Sequence, residues 1–381
     1  MIFYDADFGA VSGDYSRLVE KGLEFAYDFF STEGFAIFPD LIRVDVLETS
    51  AGELGAEYLE MDGAGNWVPT IEIANESVMQ EYLSYAYTDT SLKDLVASTC
   101  AHELFHVIQD YHSLHNAGDI SEQSFVEAQA TAIQEALVPN ANDYLDPALE
   151  FLLAPDSMAF FHRSYDAGIF WVYVQDRFGV QAILDLMDSS ALYDGRHAID
   201  HAFSSSGLSF FDIWSDFAVM LATGDLVDSE VISTLVPQAE GSGWWTRTRD
   251  PAPIPPLVYR ETWTGSAISI ETVNSTNQSE YSPLYEDDPI GTALRVAHAY
   301  GIDVLEIVLD DMTPMTIQFK GEPETQFRTL IASEMSDGWS SAPFTAFATF
   351  QPEETMARIR IIITRSEAGT GEYTIIISPS S

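Results

Sequence analysis

Ser98–His112 reads STCAHELFHVIQDYH, and the run His102-Glu103-Leu104-Phe105-His106 inside it decides how the chain is read. Leu95, Val96, Leu104, Val107 and Ile108 recur around it at helical spacing, on more than one face, predicting a central helix from Leu92 to about Tyr111. Residues four apart on a helix differ by about 40° in direction, so the two imidazoles leave one face about a turn apart. From there both nitrogens can reach a single tetrahedral zinc at about 2.0–2.1 Å. Glu103 sits beside them, able to reach a water on the metal without ligating it, as the general base of a hydrolysis. The plainer alternative is an ordinary helix with two partly exposed histidines. The apolar surroundings weigh against it, because unpaired imidazoles are costly to bury.

A catalytic zinc takes a third protein ligand and keeps a fourth position open. Glu127 follows His106 by 21 residues, in SFVEAQATAIQEA, on a second predicted helix from about Phe125 to Leu137. The small residues Ala128, Ala130 and Ala132 would let that helix approach the first closely. Two uses of Glu127 stand open: third ligand, or partner of Ser124 in a capping box. Glu122 and Glu135 are further acids within reach. His112 and His115 are expected on the surface beyond the end of the first helix. Cys100 lies about 200° round the helix from His102 and reads as a small buried packing residue, with a thiolate or redox role as the alternative.

Sixty acidic residues against 16 basic ones give a net charge of -44. So large an excess repels nucleic acid and anionic membrane surfaces, and neither is expected as a partner. A solvated acidic surface accounts for most of it. Glu286-Asp287-Asp288 and Asp310-Asp311 are candidates for additional Ca2+, although neither has the spacing of a calcium loop. A single cysteine excludes an internal disulfide and any multi-cysteine metal site. No run approaches the roughly 18 apolar residues of a membrane span, so no membrane insertion is expected. The start, MIFYDADFGA, has neither a basic nor an apolar signal segment. The expectation is a mature chain, secreted or held at the cell surface.

Outward from the motif, the pattern is α+β. Ile2-Phe3-Tyr4 reads as a short strand, Tyr15 to Phe30 as a helix ended by Gly34, and Ile42-Val44-Val46 and Ile71-Ile73 as strands. Further helices are expected at 165–178, 180–188 and 209–222. The Pro- and Gly-rich text between Val236 and Leu257 marks a domain boundary. Beyond it the period changes to two, in ISIETV, ALRVAHA, VLEIVLD, MTIQF, RTLIAS, FTAFATF, ARIRIIIT and YTIIIS. Residues 1–240 are thus expected to form one domain, with an α/β part to 118 and a helical subdomain from 119. Residues 258–381 are expected to form an antiparallel β-sandwich.

AHELFHVIQDYHSLHNAG followed by FVEAQA resembles the gluzincins, zinc peptidases with HExxH on one helix and a Glu on the next. The likeness is to the thermolysin pattern, and more closely to secreted bacterial and archaeal metalloproteases with a C-terminal β domain. It implies a zincin-like catalytic domain in which His102, His106 and Glu127 bind Zn2+ and Glu103 is the base. The strong part covers about residues 98 to 136. A looser pattern at Tyr165 to Gly179 offers Tyr165 as the donor that stabilises the oxyanion, with His162 as runner-up and Tyr173 assigned to the core. Thr131 departs from the pattern, standing where thermolysin-like enzymes carry an acid that orients a zinc histidine. The aminopeptidase segment G-x-M-E-N is missing, and ANES (Ala74 to Ser77) is a poor substitute. The expected activity is therefore that of an endopeptidase on a peptide or protein substrate, which would pair with the strand around Ile71–Ile73. The rival expectation is a non-catalytic binding protein with a relic or structural zinc site and a ligand-binding β domain. An intact Glu103 favours the enzyme, because a structural site does not need it.

Overall fold

The computed structural model describes residues 2–4, 13–37, 42–49, 53–63, 65–86, 89–115, 123–153, 160–193, 195–228, 232, 257–264, 268–271, 302–321, 327–336, 338–365 and 373–380. These belong to two compact units. The first takes its residues from Met1–Phe151, Phe161–Phe210 and Glu230–Thr246, the second from Leu152–Phe160, Phe211–Ser229 and Arg247–Ser381. The expected boundary segment, 236–256, lies outside the described residues, as do ALRVAHA and Glu286-Asp287-Asp288.

In the first unit, α1 (Gly13–Glu33) buries Val19, Leu23, Ala26 and Phe30 along one stripe. Each such side chain contributes about 1.5–3 kcal/mol when fully buried, less for Ala26. The helix stops where Gly34 takes φ +88°, letting the Phe35 amide close back on the Phe30 carbonyl at 2.9 Å. A four-stranded sheet follows from β1 (Ile2–Tyr4), β2 (Ile42–Leu47), β3 (Gly55–Met61) and β4 (Trp67–Ala74), in the order β1-β2-β4-β3. The first three in that order run parallel and β3 is antiparallel to β4. This corrects the expectation for Ile71–Ile73. That strand is flanked on both sides, by β2 and β3, so its backbone groups are already paired; among the described residues the terminal strands of the sheet are β1 and β3.

The short helix α2 (Glu76–Tyr85) is capped by Asn75, whose side chain accepts from the Ser77 and Val78 amides. The ANES segment is thus a helix start. Next comes α3 (Leu92–His115), begun by a Ser91 hydroxyl that accepts from the Asp94 amide at 3.1 Å. It runs a full turn past the expected end near Tyr111. His112 therefore stays on the helix, half-buried, with Nε2 3.5 Å from the Asp188 carboxylate. The His115 side chain lies outside the described residues. Leu95, Val96, Cys100, Ala101, Leu104, Phe105, Val107 and Ile108 are all buried, so α3 is enclosed on most faces, as its all-round apolar pattern requires. The Cys100 thiol packs at Gly22 of α1, where an added Cβ would stand 3.0 Å from Sγ, and burial pushes its pKa far up.

Around α3 the chain adds α4 (Gln123–Leu137), α5 (Leu145–Leu153), α6 (Gly168–Phe178), α7 (Gln181–Ser190) and α8 (Arg196–Ala202). The segment expected to be helical from 165 begins instead with a single 3-10 turn at Tyr165–Ala167 and becomes α-helical at Gly168. There α6 meets α4 so closely that a Cβ on Gly168 would lie 2.8 Å from Thr131 Cγ2. Tyr173 of α6 is buried, as expected for a core residue.

Among the described residues the second unit holds most of α9 (Phe210–Thr223) and nine strands in two sheets. These are β5 (Leu257–Trp263), β6 (Ile268–Glu271), β7 (Ile302–Leu309), β8 (Met315–Gly321), β9 (Phe327–Met335), β10 (Gly338–Phe344), β11 (Phe347–Phe350), β12 (Arg358–Arg365) and β13 (Tyr373–Pro379). The orders are β10-β9-β12-β7-β5 and β11-β8-β13-β6, antiparallel throughout except for the parallel pair β5–β7. Ile307, Ile361 and Ile363 from one sheet and Ile317, Ile375 and Ile377 from the other share one apolar core. Buried Arg360 crosses to the end of α9, donating to the Ala222 carbonyl and, at 2.7 and 2.9 Å, to Glu306. Asp311, one of the calcium candidates, accepts from the Thr313 amide at 2.6 Å in a tight turn.

Candidate metal centre

His102 and His106 leave α3 on the face turned to α4, and Glu127 leaves α4 towards them. Both imidazole Nε2 atoms lie 3.3 Å from the same oxygen, Glu127 Oε2. A tetrahedral ion with bonds of about 2.0–2.1 Å sets its ligand atoms about 3.3–3.4 Å apart, so the spacing is that of a metal nest. Among the described residues this is the one group of three acids or imidazoles spaced to hold an ion. The capping-box alternative for Glu127 fails. Ser124 is already inside α4 with its hydroxyl turned to the Phe161 carbonyl, and the Glu127 carboxylate faces the histidines. Glu135 is buried on the same helix but stands outside the group, and Glu122 lies outside the described residues.

The hydrogen bonds behind the imidazoles make the fit to a cation more than a matter of spacing. His102 Nδ1 is 2.5 Å from Gln134 Oε1, and Gln134 Nε2 donates to Asp143 at 2.9 Å. His106 Nδ1 is 2.8 Å from Gln109 Oε1, and Gln109 Nε2 donates to the Phe125 and Val126 carbonyls. In each case acceptors claim the amide nitrogen, so the amide oxygen must face the ring. The rings then carry their protons on Nδ1 and present bare Nε2 lone pairs to a carboxylate. Three electron-rich groups converge, and only a cation or a proton between them relieves the repulsion. The residues fit a divalent metal.

Without a metal that relief falls to a proton. Burial disfavours charge on both His106 and Glu127, but their hydrogen bond outweighs it. His106 is pushed up to about 9, and the Glu127 carboxyl is held far below the usual carboxylate range. A metal must displace this proton. Zinc affinity should therefore rise about tenfold per pH unit up to about 9 and level off above it, as titration of the metal-free protein at stepped pH would show.

No family model matches the chain. No curated protein matches it either.

Gln134, Asp143 and Gln109 are the functional residues that sequence reasoning missed. They do the orienting work that Thr131 leaves undone. The Thr131 hydroxyl donates to the Glu127 carbonyl at 2.8 Å, within its own helix, and its methyl packs at Gly168. Asp143 is buried and also receives Ser98 Oγ at 2.5 Å. Gln134→Leu should weaken zinc binding about 10–100-fold by freeing the His102 ring, read from competition with a chromogenic chelator.

Glu103, next to His102, is 5% exposed, and burial pushes its carboxyl up, against the pull of both histidines. It lies under the start of β3, against Gly55. Glu57, two residues along the same strand, has a buried carboxylate oxygen without a hydrogen-bond partner in the described structure and interacts electrostatically with His106 and Glu103. Burial, Asp110 and Glu103 push it up to about 8, partly offset by His106. Tyr165 stacks on the His102 ring, centroids 5.7 Å apart and planes 14° from parallel, while 44% of it stays exposed. His162 is exposed on the preceding 3-10 turn and is not among the site contacts described.

Proposed function

We propose that the protein is a zinc-dependent endopeptidase, and that its first unit is a zincin-like catalytic domain. The observation that carries this reading is the convergence of two imidazole lone pairs and one carboxylate, with Glu103 held beside them and outside the ligand set. A zinc ion in that nest supplies a Lewis acid that polarises the scissile carbonyl and acidifies water.

The chain's own groups supply the rest. Glu103 takes the proton from the attacking water and delivers it to the leaving amine. Among the described residues β3 ends the sheet, so its outer edge offers backbone groups to an extended peptide, and Gly55 at its start lies against Glu103. Substrate bound there by strand addition would bring a peptide bond to the base. Tyr165, at the mouth of the site, donates to the oxyanion. Tyr165→Phe keeps the ring against His102 and should leave zinc content unchanged while lowering kcat about 10²–10³-fold. KM should change much less, because the bond strengthens mainly in the transition state.

We read the second unit as a β-sandwich with a structural or substrate-binding role. Among the described residues no helix is long and apolar enough to cross a membrane, and the strongly acidic surface suits export into a salt-rich medium. The reading is tested on unfolded casein. Activity should disappear with a chelator and return with one equivalent of zinc. Bound zinc without turnover on casein or on a peptide library would leave the binding-protein reading instead.

A further inference from the structure

We propose that Gly55 is a positioning residue for the general base: the first residue of β3 lacks a side chain so that the Glu103 carboxylate can lie against the strand. The inference rests on the reading of Glu103 as base. A Cβ added at Gly55 would stand 2.5 Å from Glu103 Oε1, 2.7 Å from Cγ and 2.8 Å from Cδ. Ordinary contact begins near 3.4 Å, so the carboxylate would have to withdraw by close to an ångström.

Nothing in the backbone asks for glycine here. Gly55 is not among the glycines with positive φ, and it forms a regular antiparallel pair with Ile73. The absence of a side chain at Gly55 therefore has one structural consequence at this site, which is room for the Glu103 carboxylate. An edge strand that passes this close to the base also brings a peptide added to its open side within reach of the proton transfer.

Gly55→Ala should bind one zinc per chain, as the parent does, and lose about 100-fold in kcat on casein-derived peptides, with KM little changed. That is the usual cost of displacing a reacting group by about 1 Å. In the Glu103→Gln background the same substitution should cost nothing further, since the base it displaces is already gone. A Gly55→Ala enzyme with the parent's kcat, while Glu103→Gln is inactive, overturns the inference and leaves the catalytic reading intact. A Glu103→Gln enzyme with near-normal turnover overturns the reading itself.

A second measurement needs no substrate. Gly55→Ala should lower Tm by roughly 2–4 °C in the parent and leave it unchanged or raised in the Glu103→Ala background, where the Cβ has room. Equal shifts in the two backgrounds would remove the contact, and with it the proposal.

Discussion

Glu103→Gln should keep one zinc per chain and lose about 10²–10⁴-fold in kcat, the usual contribution of a positioned general base. The substitution removes a proton acceptor and none of the ligands. Burial makes the expectation sharper: Glu103 is 5% exposed beneath β3, so bulk water has poor access to stand in for it. The amide is nearly the shape of the carboxylate and should pack the same slot, so the Tm should stay close to the parent's. Metal analysis and peptide kinetics on one preparation check it. Loss of zinc would move Glu103 into the ligand set, and near-normal turnover would remove it from the mechanism.

Glu127→Ala should act on the metal first. It removes the only anionic member of the group and the oxygen that faces both Nε2 atoms at 3.3 Å. Zinc affinity should fall by more than about 100-fold, beyond the upper end of what losing an outer partner costs. Activity should fall with occupancy and recover partly at high zinc. Had Glu127 served only to cap α4, the loss would be about 1 kcal/mol of stability with zinc held normally. Competition against a chelator of known affinity, with thermal melts of the metal-free form, distinguishes the two outcomes.

The grouping of His102, His106 and Glu127 was legible because it is written in local spacing. His102 and His106 are a helical repeat apart, and the small residues of α4 announce a close helix contact. The residues that orient the ligands were harder to see, because each depends on where a neighbouring element falls. Gln109 is three residues past His106, a helical neighbour that could have been read directly. Gln134 is seven past Glu127, which returns it to the same face of α4 two turns on. Asp143, in the turn after α4, meets Gln134 and Ser98 only through tertiary packing, and no spacing rule reaches it.

The strand beside the site was missed for a similar reason. GAEYLEM in β3 is short and half polar, as an edge strand exposed to solvent tends to be, and gives little apolar alternation. Its neighbour β4 is visible in the sequence because Ile71 and Ile73 are buried in the middle of the sheet, a place that leaves it no free edge for strand addition. In the second unit the alternation announced β6, β7, β8, β9, β12 and β13; it gave no sign of β5 or β10, and FTAFATF, expected as one strand, breaks at Thr345–Ala346 between β10 and β11 in different sheets. It carried no information on the parallel pairing of β5 with β7, which is set by a long connection.

Titration of zinc into the metal-free protein shows whether two imidazoles and one carboxylate hold a catalytic zinc. The titration belongs in molar sodium chloride, because a chain of net charge -44 collects cations on its surface and salt suppresses that background. The predicted result is one tight zinc per chain, with X-ray absorption showing two imidazole nitrogens and one carboxylate oxygen among its ligands, and loss of the tight site in His106→Ala. Weak, salt-sensitive binding of several ions, unchanged in His106→Ala, would contradict it.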